Sequence, residues 1–199
     1  MTAVPAEDHH VHSTFSEDAT SSVAENIAAA RARGLRVLCV TDHVRSGTTW
    51  VPEFVAAVRM AAPAPDGGGL AVRCGVEAKL LDGTGRLDLP GRLPPLDRVL
   101  VADHQYPGVE GPLPPAEVRH RLAAGQLTAD QVVDTLVLAT VGAPGAVVEV
   151  NEKWRCPGPA AVAAFRAAGV PVVPSTDSHR AADVGVYHRV PSLLRGAEP

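Results

Sequence analysis

Apolar residues in this chain fall into short uninterrupted runs, separated by segments whose apolar positions recur every three or four residues. The runs Arg36–Thr41, Leu70–Glu77, Arg98–Asp103, Ala146–Asn151 and Val170–Ser175 read as strands buried on both faces, as in a parallel sheet. A shorter strand opens the chain at Asp8 and runs out into a loop that ends at Asp18. Between the runs, Ser21–Arg33 predicts a helix. Ser21 or Ser22 caps it, Glu25 sits in its first turn, Val23, Ile27, Ala28 and Ala30 form its apolar face, and Gly34 ends it. Further helices are predicted over Pro52–Ala62, Ala116–Ala124, Thr128–Val141 (capped by Thr128) and Pro159–Ala168 (closed by Gly169). Pro63–Gly69 and Pro107–Pro115 read as loops, Asp82–Gly85 as a turn, and the tail after Val190 as loosely packed. Strand–helix–strand alternation predicts parallel pairing with right-handed crossovers. No repeat of fixed period or composition break divides the chain, so a single domain over residues 1–199 is expected.

Composition narrows the class. Hydrophobic content of 46% and charged content of 20% are ordinary for a globular chain long enough to bury a core. A net charge of -4 without a basic stripe gives no sign of a nucleic-acid partner. Cys39, Cys74 and Cys156 are odd in number and far apart, with no C-x-x-C, so neither a disulfide framework nor a cysteine zinc site is indicated. No apolar run approaches a membrane span, and no basic segment followed by an apolar one opens the chain. A soluble, reduced, cytoplasmic protein is the expectation.

The polar residues at the strand ends carry the chemistry. On a strand, His10 and His12 point the same way, and the carboxylate of Asp18 follows on the loop. His43, Glu77 and His104 stand at or just past the ends of the next three runs, and Asp177 with His179 follows the last. Parallel α/β folds place functional residues at the carboxyl ends of their strands, and a barrel gathers those ends into one ring. A mixture of imidazole and carboxylate suits Zn, Mn or Fe and disfavours a pure Mg or Ca site. These eight side chains exceed what one tetrahedral ion takes and suffice for two or three ions if a carboxylate bridges. Two ions close together are the arrangement used for phosphoester hydrolysis.

Taken in order, His10-x-His12 with Asp18, Thr41-Asp42-His43, Gly75-Val76-Glu77, His104, Glu149-Val150-Asn151 and Asp177-Ser178-His179 followed by Val184-Gly185 resemble the PHP family, the polymerase and histidinol phosphatase superfamily. The resemblance covers nearly the whole chain. It implies an α/β fold, a distorted (β/α)7-type barrel with up to three metals in its mouth. It also implies metal-dependent phosphoester hydrolysis. Carried over residue by residue, His10 and His12 would share one ion with Glu77 and Asp177. Asp18, His43 and His179 would hold a second, and Glu77 and His104 would reach a third. The chain departs from the family between the His104 and Asn151 strands, where a further strand carrying His-Pro is expected. The nearest match, Gly142-Ala143-Pro144, has no histidine, and His120 sits in a helical pattern. Either the third position stays empty, or Gln105 or water completes it, or the barrel has lost a strand, and a two-metal centre is favoured over a three-metal one.

The expected reaction is hydrolysis of a small phosphomonoester by a metal-bridging hydroxide attacking phosphorus in line. No G-x-S-x-G nucleophile is present. Lys153, Arg155 and Arg180 are the candidate cations for the phosphoryl group, with Arg45 a weaker one. His9, His120 and His188 read as structural or surface residues, and Trp50 and Trp154 as residues that could shape the pocket or simply pack. Two rivals stand beside this reading. One is a metal hydrolase of a non-phosphate substrate such as a cyclic amide or ester. The other is a PHP-like domain with a structural or interaction role.

Overall fold

The computed structural model describes residues 5–62, 69–79, 81, 87–102, 106–108, 111–132, 134 and 147–195. The short opening strand β1 (Glu7–Val11) and the apolar runs β2 (Val37–Val44), β3 (Ala71–Lys79) and β4 (Arg98–Ala102) are parallel, hydrogen-bonded in that order in one curled sheet. A short antiparallel hairpin, β5 (Tyr106–Gly108) and β6 (Gly111–Leu113), lies within the stretch expected to be loop. β7 (Val148–Asn151) and β8 (Val172–Ser175) form a second parallel pair. That pair joins the open edge of β1 through a parallel bridge between Val11 and Ser178, where the His12 amide donates to the Ser178 carbonyl at 2.8 Å.

Buried Asp8 reinforces the joint. Its carboxylate accepts from the Thr176 amide (3.0 Å), the Thr176 hydroxyl (2.6 Å) and the Gly185 amide (2.8 Å). Gly185 holds φ +69, and a Cβ there would also stand 3.0 Å from Leu35 Cδ1, which is why glycine occupies the position.

Helix α1 (Val23–Ala32) begins at Ser22, which forms a capping box with Glu25, and ends before Gly34 at φ 70. Helix α2 (Val51–Ala61) has Pro52 in its first turn and buries Val51, Phe54, Val55 and Val58. Both cover the outer face of the sheet, against Val11, Leu38, Val40, Cys74 and Val76. Helix α3 (Pro115–Ala123) buries none of its residues. A second capping box follows it, between Thr128 and Gln131. Helix α4 (Pro159–Ala167) buries Val162 and Phe165. The tail departs from expectation. Val190–Arg195 forms helix α5, and Val190, 0% exposed, packs with Val150, Val162 and Tyr187, because the β7–β8 pair needs an apolar cover on its own outer face.

The inner face of the curl carries the polar residues. β2 and β3 pair His43 with Glu77 and Thr41 with Gly75, which puts the odd-numbered residues of both strands on that face. Gly75 is needed there, since a Cβ would stand 2.8 Å from Thr41 Cγ2. In β1 the register slips between Asp8 and Val11, so two residues oppose one. His9 and His10 then both serve the inner side, while Asp8 and Val11 face outward. His9 lies deep in the curl between Glu7 (2.9 Å) and Arg98 (3.0 Å), the structural place expected of it.

The stretch where a His-Pro strand would fall, Gly142–Pro144, and His104 itself lie outside the described residues.

Candidate metal centre

Seven of the eight ligand candidates converge at the carboxyl ends of β1, β2, β3 and β8. His10 Nε2 and His12 Nε2 are 2.8 Å apart, and Glu77 Oε2 lies 3.1 Å from the first and 3.3 Å from the second. Asp177 Oδ1 stands 3.2 Å from His12 Nε2 and 3.8 Å from His10 Nε2. Next to this group, Asp18 Oδ2 lies 3.1 Å from His179 Nε2 and 3.6 Å from His43 Nε2. Glu77 Oε2 connects the two groups, since it also accepts from His43 Nδ1 at 2.8 Å.

The backbone around Asp177 is adapted to this task. Asp177 adopts φ 53, a left-handed conformation that Asp tolerates better than most residues. That turn aims Oδ1 at the histidines.

A layer of outer partners sets the tautomers. His10 Nδ1 donates to Glu149 Oε2 at 2.8 Å, and Asn151 Nδ2 donates to Glu149 Oε1 at 3.0 Å. The Trp154 amide donates to Asn151 Oδ1 (2.9 Å), and its indole Nε1 donates to Asp177 Oδ2 (2.6 Å). On the other side, His12 Nδ1 meets the Ser16 hydroxyl at 3.3 Å, and that hydroxyl donates to Asp42 Oδ1 at 2.6 Å. With both Nδ1 atoms engaged as donors, the Nε2 lone pairs of His10 and His12 face one another across 2.8 Å. At that distance the pair must share a positive charge, either a proton or a metal ion. Ligand atoms around a tetrahedral zinc with bonds of about 2.0–2.1 Å lie roughly 3.3–3.4 Å apart. The His10, His12 and Glu77 atoms lie 2.8–3.3 Å from one another and Asp177 3.2 and 3.8 Å from the two histidines, so the donor set fits a divalent ion. The outer carboxylates complete the usual carboxylate–histidine–metal pattern.

Electrostatics agree with a site built for positive charge. Burial works against ionised Glu77, but hydrogen bonds from His10, His12 and His43 hold its carboxyl well below the usual range. Burial likewise opposes ionised Asp177, yet His12 and His10 bring it to about 2. Burial disfavours charge on His10, and Glu149 and Glu77 outweigh it, keeping the imidazole pKa well above its ordinary value.

Of the three cations expected for substrate, Lys153 is at the cluster, with Nζ 3.6 Å from Asp177 Oδ2 and 3.3 Å from His179 Nδ1. Arg180 is paired with Asp183 at 2.7 Å, and Arg155 is exposed in a left-handed turn at φ 60. His120 and His188 are exposed. Trp50 packs on Phe15 with ring centroids 5.3 Å apart, and Trp154, 61% exposed, reaches the site through its indole N–H. The sequence pattern gave Glu149 and Asp42 no role, and for Asn151 it allowed either holding a loop or lining the site; Asn151 here bonds Glu149 and the Trp154 amide of the following turn. The two-residue spacing of Glu149 and Asn151 on a strand, which puts both on one face, was the available signal. A cleft of about 440 Å3 takes in Asp18, His43 and Glu77 of the cluster, and Glu17, Arg45, Trp50 and Lys79 also line it.

All three cysteines are free, and Cys39 and Cys74 are buried. Among the described residues no helix is long and apolar enough to cross a membrane.

Fold and site together define a curled parallel α/β protein with a histidine–carboxylate centre at its strand ends. The PHP domain profile matches residues 8–135, and the chain belongs to that family. Its relatives include a probable phosphatase of Photobacterium profundum, 38% identical over 99 residues that span 49% of this chain and 40% of the relative. A probable phosphatase of Vibrio parahaemolyticus is 28% identical over 163 residues, 75% of this chain and 58% of the relative. The matched region thus spans roughly two-fifths to three-fifths of these relatives' own length. Among solved structures, the fold resembles histidinol phosphate phosphatase from Lactococcus lactis, a complex with Zn, L-histidinol and phosphate. The TM-score is 0.63 at 17% identity, covering 96% of this chain and 93% of that one.

Proposed function

We propose that this chain is a divalent-metal-dependent phosphatase of small phosphomonoesters, on a (β/α)7-type barrel. The observation that carries the reading is the shared Glu77 Oε2, within 3.3 Å of nitrogens from His10, His12 and His43. A carboxylate oxygen so placed suits a bridge between two ions. His10, His12, Glu77 and Asp177 would hold one ion of the Zn, Mn or Fe type, and Asp18, His43 and His179 a second. A third position would need His104 beside Glu77. Bound there, the ions supply Lewis-acid charge and activate water for attack on phosphorus.

The chain's own groups do the rest. Glu149 and the Ser16–Asp42 pair keep His10 and His12 with Nε2 free. Trp154 fixes Asp177. The ammonium of Lys153, beside Asp177 and His179, adds positive charge where a phosphoryl group would sit. Arg155 is a further candidate, and Arg180 would have to leave Asp183 to take part. The named activities of the relatives and of the Lactococcus lactis neighbour support the same reading.

The test begins with metal content per chain by elemental analysis, for wild type and His12→Ala, followed by phosphate release from a panel of phosphomonoesters with Zn or Mn. Stoichiometric metal lost in His12→Ala, together with phosphate release, is expected. Wild type that takes up neither added Zn nor Mn, or that holds metal and releases no phosphate, would sink the proposal.

A further inference from the structure

The ligands His43 and Glu77 face each other across β2 and β3, and the register continues to Val44 opposite Ala78. One step further come Arg45 and Lys79. Lys79, the last residue of β3, shares the inner face with Glu77, its Cα roughly 6.6 Å further along the strand, and Arg45 stands at the start of the turn just past β2. Both line the cleft that opens from the cluster. A second hollow of about 500 Å3 adjoins it, sharing Arg45 and Trp50. Neither cation has an ion-pair partner within 4 Å among the described residues.

The backbone beneath them is held in place. The Thr48 amide donates to the Arg45 carbonyl, and the Arg45 amide donates to Thr48 Oγ1, both at 2.9 Å, closing the turn after β2. Asp88 ties that turn to the end of β3. Its carboxylate accepts from the Ser46 amide at 2.8 Å, and its own amide donates to the Lys79 carbonyl at 2.9 Å. The bonds to Ser46 hold the Asp88 carboxyl below its usual range, with smaller contributions from the charges of Arg45 and Lys79. Asp88 is thus committed to the backbone on both sides, and two cations on fixed supports face one cleft. The half-buried ring of Trp50 supplies an apolar part of the lining of both hollows.

We infer that Arg45 and Lys79 form a subsite for a second anionic group of the substrate, so that the preferred phosphomonoesters carry a carboxylate or a further phosphate on the leaving group. This rests on the phosphatase reading for its catalytic consequence, while the anion subsite itself can be measured by binding alone. A leaving group of this kind would lie along the cleft from the cluster, its far anion at the cations and its uncharged part against lining that includes Trp50.

The test compares kcat/KM for phenyl phosphate, 4-carboxyphenyl phosphate and 1,4-phenylene bisphosphate in metal-loaded wild type and R45A/K79A. Wild type should prefer the two doubly anionic esters over phenyl phosphate, and the double substitution should cut that preference about tenfold, as expected for two partly exposed charge pairs. R45K/K79R, which keeps both charges, should restore most of it. The carboxylate and bisphosphate arms show which anion the subsite takes. A preference in R45A/K79A within about twofold of wild type overturns the inference. If wild type hydrolyses none of the esters, the phosphatase reading fails, and the subsite is judged by calorimetry instead. 4-Carboxybenzylphosphonate should then bind wild type about tenfold more tightly than benzylphosphonate does, with the advantage lost in R45A/K79A. Equal affinities overturn it.

Discussion

Glu149 is the residue whose replacement tests the outer layer of the centre most directly. It receives His10 Nδ1 on one oxygen (2.8 Å) and Asn151 Nδ2 on the other (3.0 Å). Glu149→Gln keeps the size but leaves one oxygen for two donors, so either His10 or Asn151 loses its acceptor. It also removes the negative charge behind a histidine that is 3% exposed. A hydrogen bond to a charged group contributes about 1.5–3 kcal/mol. Loss of an outer carboxylate behind a metal-bound histidine costs about 10–100-fold in affinity, or roughly 1.4–2.8 kcal/mol. The two figures agree, so Zn and Mn affinity should fall by one to two decades, measured at neutral pH by competition with a chromophoric chelator. A urea midpoint on the same variant separates this from a general loss of stability. Affinity within about twofold of wild type would refute the idea that Glu149 positions His10.

Trp154→Phe deletes the indole bond to Asp177 Oδ2, and metal affinity should drop about tenfold with the thermal midpoint barely moved, because the side chain is 61% exposed. Unchanged affinity in the same chelator assay would count against a positioning role. Since Glu149 and Glu77 hold the His10 pKa well above its ordinary value against the effect of burial, metal must displace that proton. Affinity should therefore rise with pH through and above the ordinary histidine range, with proton release seen as buffer-dependent heat in calorimetry. A flat profile between about pH 6 and 8 would contradict this. Burial pushes Asp8 up to about 6 from 3.8 despite its hydrogen bonds from Thr176, Gly185 and His10. A raised folded pKa gives stability that is full below the unfolded value and lost as pH rises through the folded one. Metal-free wild type should thus lose about 3 kcal/mol relative to Asp8→Asn between roughly pH 4 and 7, read from urea unfolding at several pH values. Parallel pH profiles for the two proteins would refute it.

The strands after β1 in the two parallel sheets were legible because each is a continuous apolar run, and helix α1 because Ser22 caps it ahead of apolar periodicity; most of the helix expected over Thr128–Val141 lies outside the described residues. The hairpin at Tyr106–Leu113 was not legible, since its Pro- and Gly-rich composition reads as loop and only the pairing of two short segments makes it a strand pair. The helix at Val190–Arg195 was missed because its six residues are too few to show a period. It exists to cover Val150 and Val162, which lie far away in the chain. Arg180 looked like a phosphate clamp from its place beside His179, yet Asp183, three residues on, offers its guanidinium a nearer partner.

By itself the sequence determined the donor chemistry and its order: imidazoles and carboxylates at successive strand ends, in a pattern that alternates strands and helices. Strand periodicity was enough to put His10 and His12 on one side. Which donors meet was decided by tertiary structure. His179 reaches Asp18 across 161 positions of chain, and His10 reaches Glu149 across 139. Those distances depend on the curl of the sheet, on the bulge that turns both His9 and His10 inward, and on Asp8 fastening β8 against β1. Local pattern records only what a residue's neighbours along the chain require. The meeting of two lone pairs at 2.8 Å, and the carboxylates that hold their rings in place, follow from packing between strands that are distant in sequence.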